Sequence, residues 1–160
     1  MKISVLLLSM VIFVASCAPK ATITPQVATD EAQNSLMNFF SLLNTKKYAE
    51  ADSLYGGSYD QLQVFNPDVD ANDHATLWQR ACEMSGLQCL QARTVLLTHQ
   101  EGDTHVFQVE FNNPDGSLFV LGPCCGSNET EMPPVSQFEY TVMKNAEGKF
   151  VVMNLPPYVP

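Results

Sequence analysis

The chain has 160 residues and a formal net charge of −9, with 17 acidic side chains against eight basic ones. Because an acidic surface repels phosphate groups, this composition disfavours a nucleic-acid partner and electrostatic attachment to an anionic membrane face. With 46% hydrophobic residues, the chain is long enough for one domain with a substantial core.

The first residues have the layout of an export signal. Lys2 precedes an apolar run from Ile3 to Val14, which is shorter than the roughly 20 residues that cross a bilayer. The stretch Val14-Ala15-Ser16-Cys17 resembles the lipobox of bacterial lipoproteins, in which the cysteine receives a diacylglyceryl group and becomes the first residue after cleavage. An ordinary secretory signal, cut near Ala15 or Ala18, is the alternative.

The resemblance implies a lipid on Cys17 and removal of residues 1–16 as a signal peptide. It places the protein outside the cytoplasm, anchored to the outer face of the cell membrane or to the outer membrane. The cleaved chain would carry a net charge of −10, because Lys2 is lost and all 17 acidic residues stay. Residues 17–33 are predicted to be the lipidated cysteine and a flexible linker, since Ala18 to Thr29 are small, polar and proline-bearing.

A helical region with an aromatic stripe follows the linker. Asp30 with Gln33 three residues later resembles a capping pair, and the helix is expected to pause near Asn44 and to end at Gly56-Gly57. The apolar positions at helical spacing are Leu36, Phe39, Phe40, Leu43, Tyr48, Ala51, Leu54 and Tyr55. Such a stripe is far more often core than a ligand site.

A further helix is predicted between an acidic cap and Gly86. Asp70, Asn72 or Asp73 can cap it, and Leu77, Trp78, Ala81 and Met84 fall on one side. The segment Ser58–Asp70 before it is broken by Pro67 and is predicted to be irregular.

From Cys89 onward the apolar residues alternate, which predicts β-strands separated by glycine-containing turns. The predicted strands are Leu90–Thr98, Thr104–Phe111, Ser117–Leu121, Gln137–Met143 and Lys149–Asn154. The proline- and cysteine-containing stretch Gly122–Ser136 is predicted to be a long loop. Helices followed by antiparallel strands indicate a single α+β domain over residues 34–160, with helices packed on a curved sheet of about four to five strands.

Four cysteines follow Cys17, and in an exported protein an even number favours disulfides. Cys82 with Cys89 would close a short loop and leave Cys124 with Cys125 as a vicinal bridge or as free thiols. Crossing pairs, one cysteine from each cluster, are slightly favoured, because adjacent cysteines cannot bridge without distorting the peptide between them. A zinc site and a thioredoxin-like role are disfavoured, since no C-x-x-C pair is present.

Two stretches resemble the nuclear transport factor two-like, cone-shaped superfamily, specifically its small bacterial lipoprotein branch. They are the aromatic helix at Phe39-Phe40-Ser41-Leu42-Leu43-Asn44-Thr45-Lys46-Lys47-Tyr48-Ala49-Glu50-Ala51 and the final Gly148-Lys149-Phe150-Val151-Val152-Met153-Asn154-Leu155-Pro156-Pro157. This resemblance implies helices and sheet that enclose an open-ended pocket, which members use for catalysis, ligand binding or dimerisation. Fold alone does not choose among these uses.

Trp78, His105 and Tyr140 are the candidate pocket residues. Asp103 and His105 would be the acid–base pair if the protein were an enzyme, because a carboxylate beside an imidazole on an apolar wall can act as a general base. We expect instead that both flank a hairpin turn and are solvated, and that Tyr140 is a core residue. No catalytic motif is present, and neither a metal site nor a cofactor is expected.

The favoured function is a non-catalytic module, held to a membrane by its lipid, that binds a small molecule or an envelope protein. A pocket enzyme of ketosteroid isomerase-like or hydrolase type is the alternative. A structural, homodimeric envelope protein is the second alternative, and it requires an exposed apolar sheet face.

Overall fold

The structure is a computed structural model that describes residues 25–160. The predicted signal peptide, Cys17 and the first linker residues lie outside the described part of the chain. Its helices are α1 (Pro25–Asn44), α2 (Tyr48–Asp52), α3 (Asp60–Phe65) and α4 (His74–Glu83), and its strands are β1 (Gln91–Glu101), β2 (Thr104–Asn112), β3 (Phe138–Lys144) and β4 (Phe150–Val152). The predicted α+β class is confirmed, with helices packed on an antiparallel sheet.

The four strands pair in the order β1-β2-β3-β4, each antiparallel to its neighbour. Alternate residues of β2 point into the core, which is the burial that the period-two sequence pattern predicts. The buried set is His105, Phe107, Val109 and Phe111. These side chains form the centre of the sheet face that the helices cover.

Helix α1 lies across this face and runs antiparallel to β1. Near its start, the Thr29 hydroxyl donates to the Gln100 side-chain carbonyl (3.1 Å), and at its end Asn44 donates to the Cys89 carbonyl (3.1 Å). Phe40 packs edge-to-face on Phe111, with 4.8 Å between ring centroids. The aromatic stripe of α1 is therefore core, as the sequence indicates.

Two helices differ from the prediction. Residues 25–33, assigned to the linker, lie in helix α1 (Pro25–Asn44), which therefore extends N-terminal to the predicted start at Asp30. Helix α3 lies in the segment predicted to be irregular. The Ser58 hydroxyl accepts the Asp60 N–H at 3.0 Å, and Leu62 is fully buried.

The predicted strand Ser117–Leu121 does not form a ladder and makes isolated bridges at Leu118 and Leu121. Side chains of the preceding turn compete for its backbone: the Asp115 carboxylate accepts the Ser117 N–H at 2.9 Å, and Asn113 donates to the Leu118 carbonyl at 3.2 Å. The sheet consequently has four strands.

The structure joins Cys82 to Cys89 in a disulfide, with 5.5 Å between their Cα atoms, and leaves Cys124 and Cys125 free. The preference for crossing pairs is therefore wrong. Helix α4 ends at Glu83, and Gly86, at a φ of +83°, then turns the chain back, which brings Cys89 beside the last turn of the helix.

Candidate functional site

An open groove of about 740 Å³ lies between α3, the first half of β3 and the segment that follows β4. Its apolar wall includes Tyr55, Leu87, Phe138, Tyr140, Leu155 and Pro156. Ser58, Gln61, Gln137 and Asn154 add neutral polar groups. An apolar wall with a few polar groups is the usual make-up of a ligand-binding cleft.

The C-terminal segment is fixed in place by the connection between α4 and β1. The Pro157 carbonyl accepts the Gln88 N–H at 2.7 Å, and the Val159 N–H donates to the Gly86 carbonyl at 3.0 Å. Two adjacent prolines, Pro156 and Pro157, cannot donate to a strand ladder, so the chain leaves the sheet after β4 and forms a groove wall instead.

Tyr140 lies at the floor of the groove. Its side chain is 2% exposed and packs edge-to-face on Phe40, with 4.9 Å between ring centroids. Within residues 25–160 the hydroxyl makes no hydrogen bond. Because burial raises the pKa of Tyr140 above its usual value, the hydroxyl is a neutral donor at physiological pH.

The backbone of β3 has an open edge at the groove. Along β3, strand β4 pairs with Val142, Met143 and Lys144 and stops there. Just beyond that pairing, the Thr141 N–H donates to the Asn154 side chain (2.7 Å) and the Thr141 carbonyl accepts the Met153 N–H (2.9 Å). Since backbone groups two residues apart point to the same edge, the N–H and carbonyl of Glu139 face the groove, and no described strand pairs with them there.

The charged side chains that line the groove are acidic. They are Asp60 on α3 and Glu139 on β3, and no Lys, Arg or His side chain is among the lining residues. Two carboxylates at a partly apolar cleft repel anions and favour neutral or cationic groups.

Among the predicted pocket residues, the structure places only Tyr140 in the groove. Trp78 is fully buried between the helices, where its indole N–H donates to the Tyr59 hydroxyl at 3.2 Å. His105 is fully buried on the helix-covered face of the sheet and packs edge-to-face on Phe150 at 5.2 Å between centroids. The three side chains do not converge on one cavity.

Asp103 is exposed and His105 is buried, so the expectation that both are solvated is wrong for His105. Neither ring nitrogen of His105 has a hydrogen-bond partner in the described structure. Burial lowers the pKa of His105, while the nearby backbone and charge of Asp103 oppose that change. Neither residue lines the groove.

A polar network that sequence reasoning missed joins three helices. The Asp52 carboxylate accepts a hydrogen bond from the Tyr59 hydroxyl and lies 3.2 Å from Nδ1 of His74. The Tyr59 and His74 rings stack with 3.8 Å between centroids. None of these three residues lines the groove. Because Asp52 lies in α2, Tyr59 precedes α3 and His74 begins α4, the network holds these three helices together.

No group of three or more His, Cys, Asp or Glu side chains in residues 25–160 is placed to hold a metal ion. In the same part of the chain, no helix has both the length and the apolarity for a membrane span. No protein-family model matches the chain, and no curated protein matches it significantly. The observations therefore define an α+β domain with an open, acidic-rimmed groove.

Proposed function

We propose that the protein is a lipid-anchored, extracytoplasmic binding module without catalytic activity, and that its groove takes an extended peptide segment. The observation that carries the ligand class is the open backbone edge of Glu139 beside an apolar wall. The export signal and the lipobox-like stretch ending at Cys17 support the anchoring.

An extended peptide can satisfy the free groups of the groove in one arrangement. Added alongside β3, it would exchange backbone hydrogen bonds with Glu139 in the manner of an additional strand. Its side chains would pack on Phe138 and Leu155, and one of its carbonyls would accept from the Tyr140 hydroxyl. Asp60 and Glu139 favour a peptide that is neutral or basic.

We also propose the cone-shaped, nuclear transport factor two-like fold for the domain. The order of helices and antiparallel strands, together with a groove between the helices and one end of the sheet, supports this assignment. Because such folds serve many functions, the proposed function rests on the groove and not on the fold.

The two alternatives have less support. The catalytic hypothesis needs Asp103 and His105 in a common pocket, and their burial differs completely. The dimer hypothesis needs an apolar outer sheet face. Exposed Leu96 and Met143 share that face with the polar residues Gln108, Glu110 and Thr141.

A selection from a phage-displayed library of random linear peptides, carried out on the exported chain, tests the ligand class. We expect enrichment of peptides without acidic residues, and calorimetry with a selected peptide then compares variants. Glu139→Pro removes the free N–H without touching the bonds to β2, and we expect its affinity to fall about tenfold. Glu139→Ala is the control: it keeps the N–H, so a neutral peptide should bind it as it binds the wild type.

Tyr140→Phe should weaken the same peptide by a similar factor while leaving the unfolding free energy nearly unchanged, because the hydroxyl has no partner within the described chain. Equal affinity for wild type, Glu139→Pro and Tyr140→Phe, or no enrichment at all, would reject the peptide groove.

Anchoring has a separate test. In a bacterial host, the Cys17→Ala variant should move from the membrane fraction to the soluble extracytoplasmic fraction. Cys125→Ser, the matched control, should stay with the membrane. Membrane retention of Cys17→Ala would contradict the lipid attachment and leave the groove proposal intact.

A further inference from the structure

The loop from Gly122 to Ser136 carries two adjacent free cysteines. The Sγ atoms of Cys124 and Cys125 point to the same side and are adjacent, 2.6 Å apart. Cys125 is exposed and Cys124 is half-buried. The other cysteines of the described chain, Cys82 and Cys89, are already bonded to each other.

The backbone holds this pair in an uncommon conformation. The Ser127 N–H donates to the Cys124 carbonyl at 3.0 Å, which closes a four-residue turn. Its central residues, Cys125 and Gly126, have φ values of +61° and +91°, the pattern of a type I′ turn. Glycine accepts this region readily, whereas cysteine is strained there, and such strain at an exposed reactive group indicates function.

We propose that Cys124 and Cys125 form a redox-active dithiol that a disulfide-bearing oxidant converts reversibly into a vicinal disulfide. The site is independent of the groove and of the lipid anchor. Its substrate class is a small or protein disulfide, which is reduced to two thiols as the loop is oxidised.

The exchange starts at Cys125, because that thiol is the exposed one. Its thiolate attacks one sulfur of the oxidant, which breaks the oxidant's S–S bond and releases the first thiol. Cys124 then loses its proton to solvent and attacks the Cys125 sulfur, which releases the second thiol. Two protons and two electrons pass from the cysteine pair to the oxidant.

The environment of Cys124 suits this second role. Its hydrogen-bonded neighbour Cys125, followed by burial, raises the pKa of the Cys124 thiol, so that it stays protonated while Cys125 reacts. Adjacent Cα atoms are about 3.8 Å apart, less than the usual span of a disulfide, which makes the oxidised form easy to reduce.

The effect of oxidation should be confined to the tip of the loop. Leu121 and Val135 exchange two backbone hydrogen bonds, at 2.8 and 2.9 Å, and close the base of the loop. The paired strands lie beyond this bridge, so the fold does not depend on the redox state of the tip.

Peptide mapping of the full chain after equilibration with glutathione buffers of defined ratio tests the proposal. Trypsin cuts after Arg80, Arg93 and Lys144, so residues 81–93 carry Cys82 and Cys89 while residues 94–144 carry Cys124 and Cys125. The samples are alkylated and digested without reductant. Peptide 94–144 should carry two alkyl groups in reducing buffers, and in oxidising buffers it should carry none and be lighter by two hydrogens. The change should be reversible. Peptide 81–93 should remain disulfide-bonded.

Three results would overturn the proposal: alkylation of both Cys124 and Cys125 at every ratio, glutathione retained on both, or a disulfide joining the two peptides. The order of attack has its own variants. Cys124→Ser should trap glutathione on Cys125, and Cys125→Ser should trap much less on the half-buried Cys124. The reverse result would contradict the assigned roles.

Discussion

His105 places a titratable ring in the core, and neither ring nitrogen has a hydrogen-bond partner among residues 25–160. Burial lowers its pKa from 6.5, and the charge of Lys144 acts in the same direction. Because the unfolded chain then binds a proton that the folded chain does not, we expect the unfolding free energy to fall as the pH decreases below about 6.5. The loss should level off below the folded-state pKa. Denaturant unfolding at a series of pH values measures it.

His105→Phe is the matched variant, because an aromatic ring can keep the packing on Phe107 and Phe150. It should remove the pH dependence between about 5 and 7 and be at least as stable as the wild type at pH 5, since two unpartnered polar atoms disappear. Carboxylates with lowered pKa values, such as Asp68 and Asp115, lose their contribution to the unfolding free energy only nearer pH 4, so they do not disturb this window. An unchanged slope would refute this account of His105.

Tyr59 provides a second test of a single side chain. Its hydroxyl donates to Asp52 and accepts from the Trp78 indole, so Tyr59→Phe leaves a fully buried N–H without a partner. We expect the unfolding free energy to drop by about 1–3 kcal/mol. Tyr48→Phe, which breaks a single hydrogen bond to exposed Glu83, should cost about 0.5 kcal/mol or less. Similar losses for the two variants would contradict the cost assigned to the unpartnered Trp78 N–H.

At the scale of elements, the junction between α4 and β1 holds the C-terminal segment through Gly86. A Cβ added at Gly86 would lie 2.2 Å from the Val159 carbonyl oxygen, and the residue has a φ of +83°. Gly86→Ala should therefore lower the unfolding free energy by about 3 kcal/mol and loosen one wall of the groove. Gly102→Ala, also at positive φ but with no neighbour within 4 Å, should cost only about 1–2 kcal/mol. Thermal and chemical unfolding compare the pair.

The disulfide between Cys82 and Cys89 stabilises the same junction. The two cysteines are seven residues apart, and the loop-closure entropy of so short a loop corresponds to a stabilisation of about 2.5 kcal/mol. The double variant Cys82→Ala/Cys89→Ala should lose about this amount in urea unfolding. Cys124→Ser/Cys125→Ser, which changes the same number of thiols in an exposed loop, should stay within about 0.5 kcal/mol of the wild type. A larger effect in the loop variant would mean that the loop tip contributes to folding.

Elements with a strong local signal were predictable. The alternating burial of β2 follows from a pattern of adjacent residues. The start of α4 follows from a local capping signal, since the Asp73 carboxylate accepts the Thr76 N–H. The segment Ser117–Leu121 was not predictable, because its strand-like composition is overridden by the side chains of Asn113 and Asp115. The helical state of residues 25–29 was not predictable either, because small, polar and proline-bearing residues are typical of linkers.

At the scale of the whole molecule, the groove depends on contacts between residues distant in sequence. The Gln88 N–H donates to the Pro157 carbonyl, and the Thr141 N–H donates to the Asn154 side chain. No local sequence pattern predicts either hydrogen bond. Tyr140 could be named as a pocket candidate from its place on an apolar strand face. The burial of His105 could not be predicted, because a position so close to a turn usually faces water, whereas here the ring packs on Phe107 and Phe150.

The direction of α1 has a consequence for how high the groove stands above a membrane. If Cys17 carries the lipid, the chain to Pro25 reaches at most about 28 Å from the bilayer surface. From there α1, with 20 residues, rises about 30 Å away from the β1–β2 turn. The groove opens towards the far end of α1, where Leu87 and the start of β1 lie. If Cys17 is lipidated, the groove therefore lies at the end of α1 remote from the anchored N-terminus, and it would face the space beyond the membrane rather than the lipid.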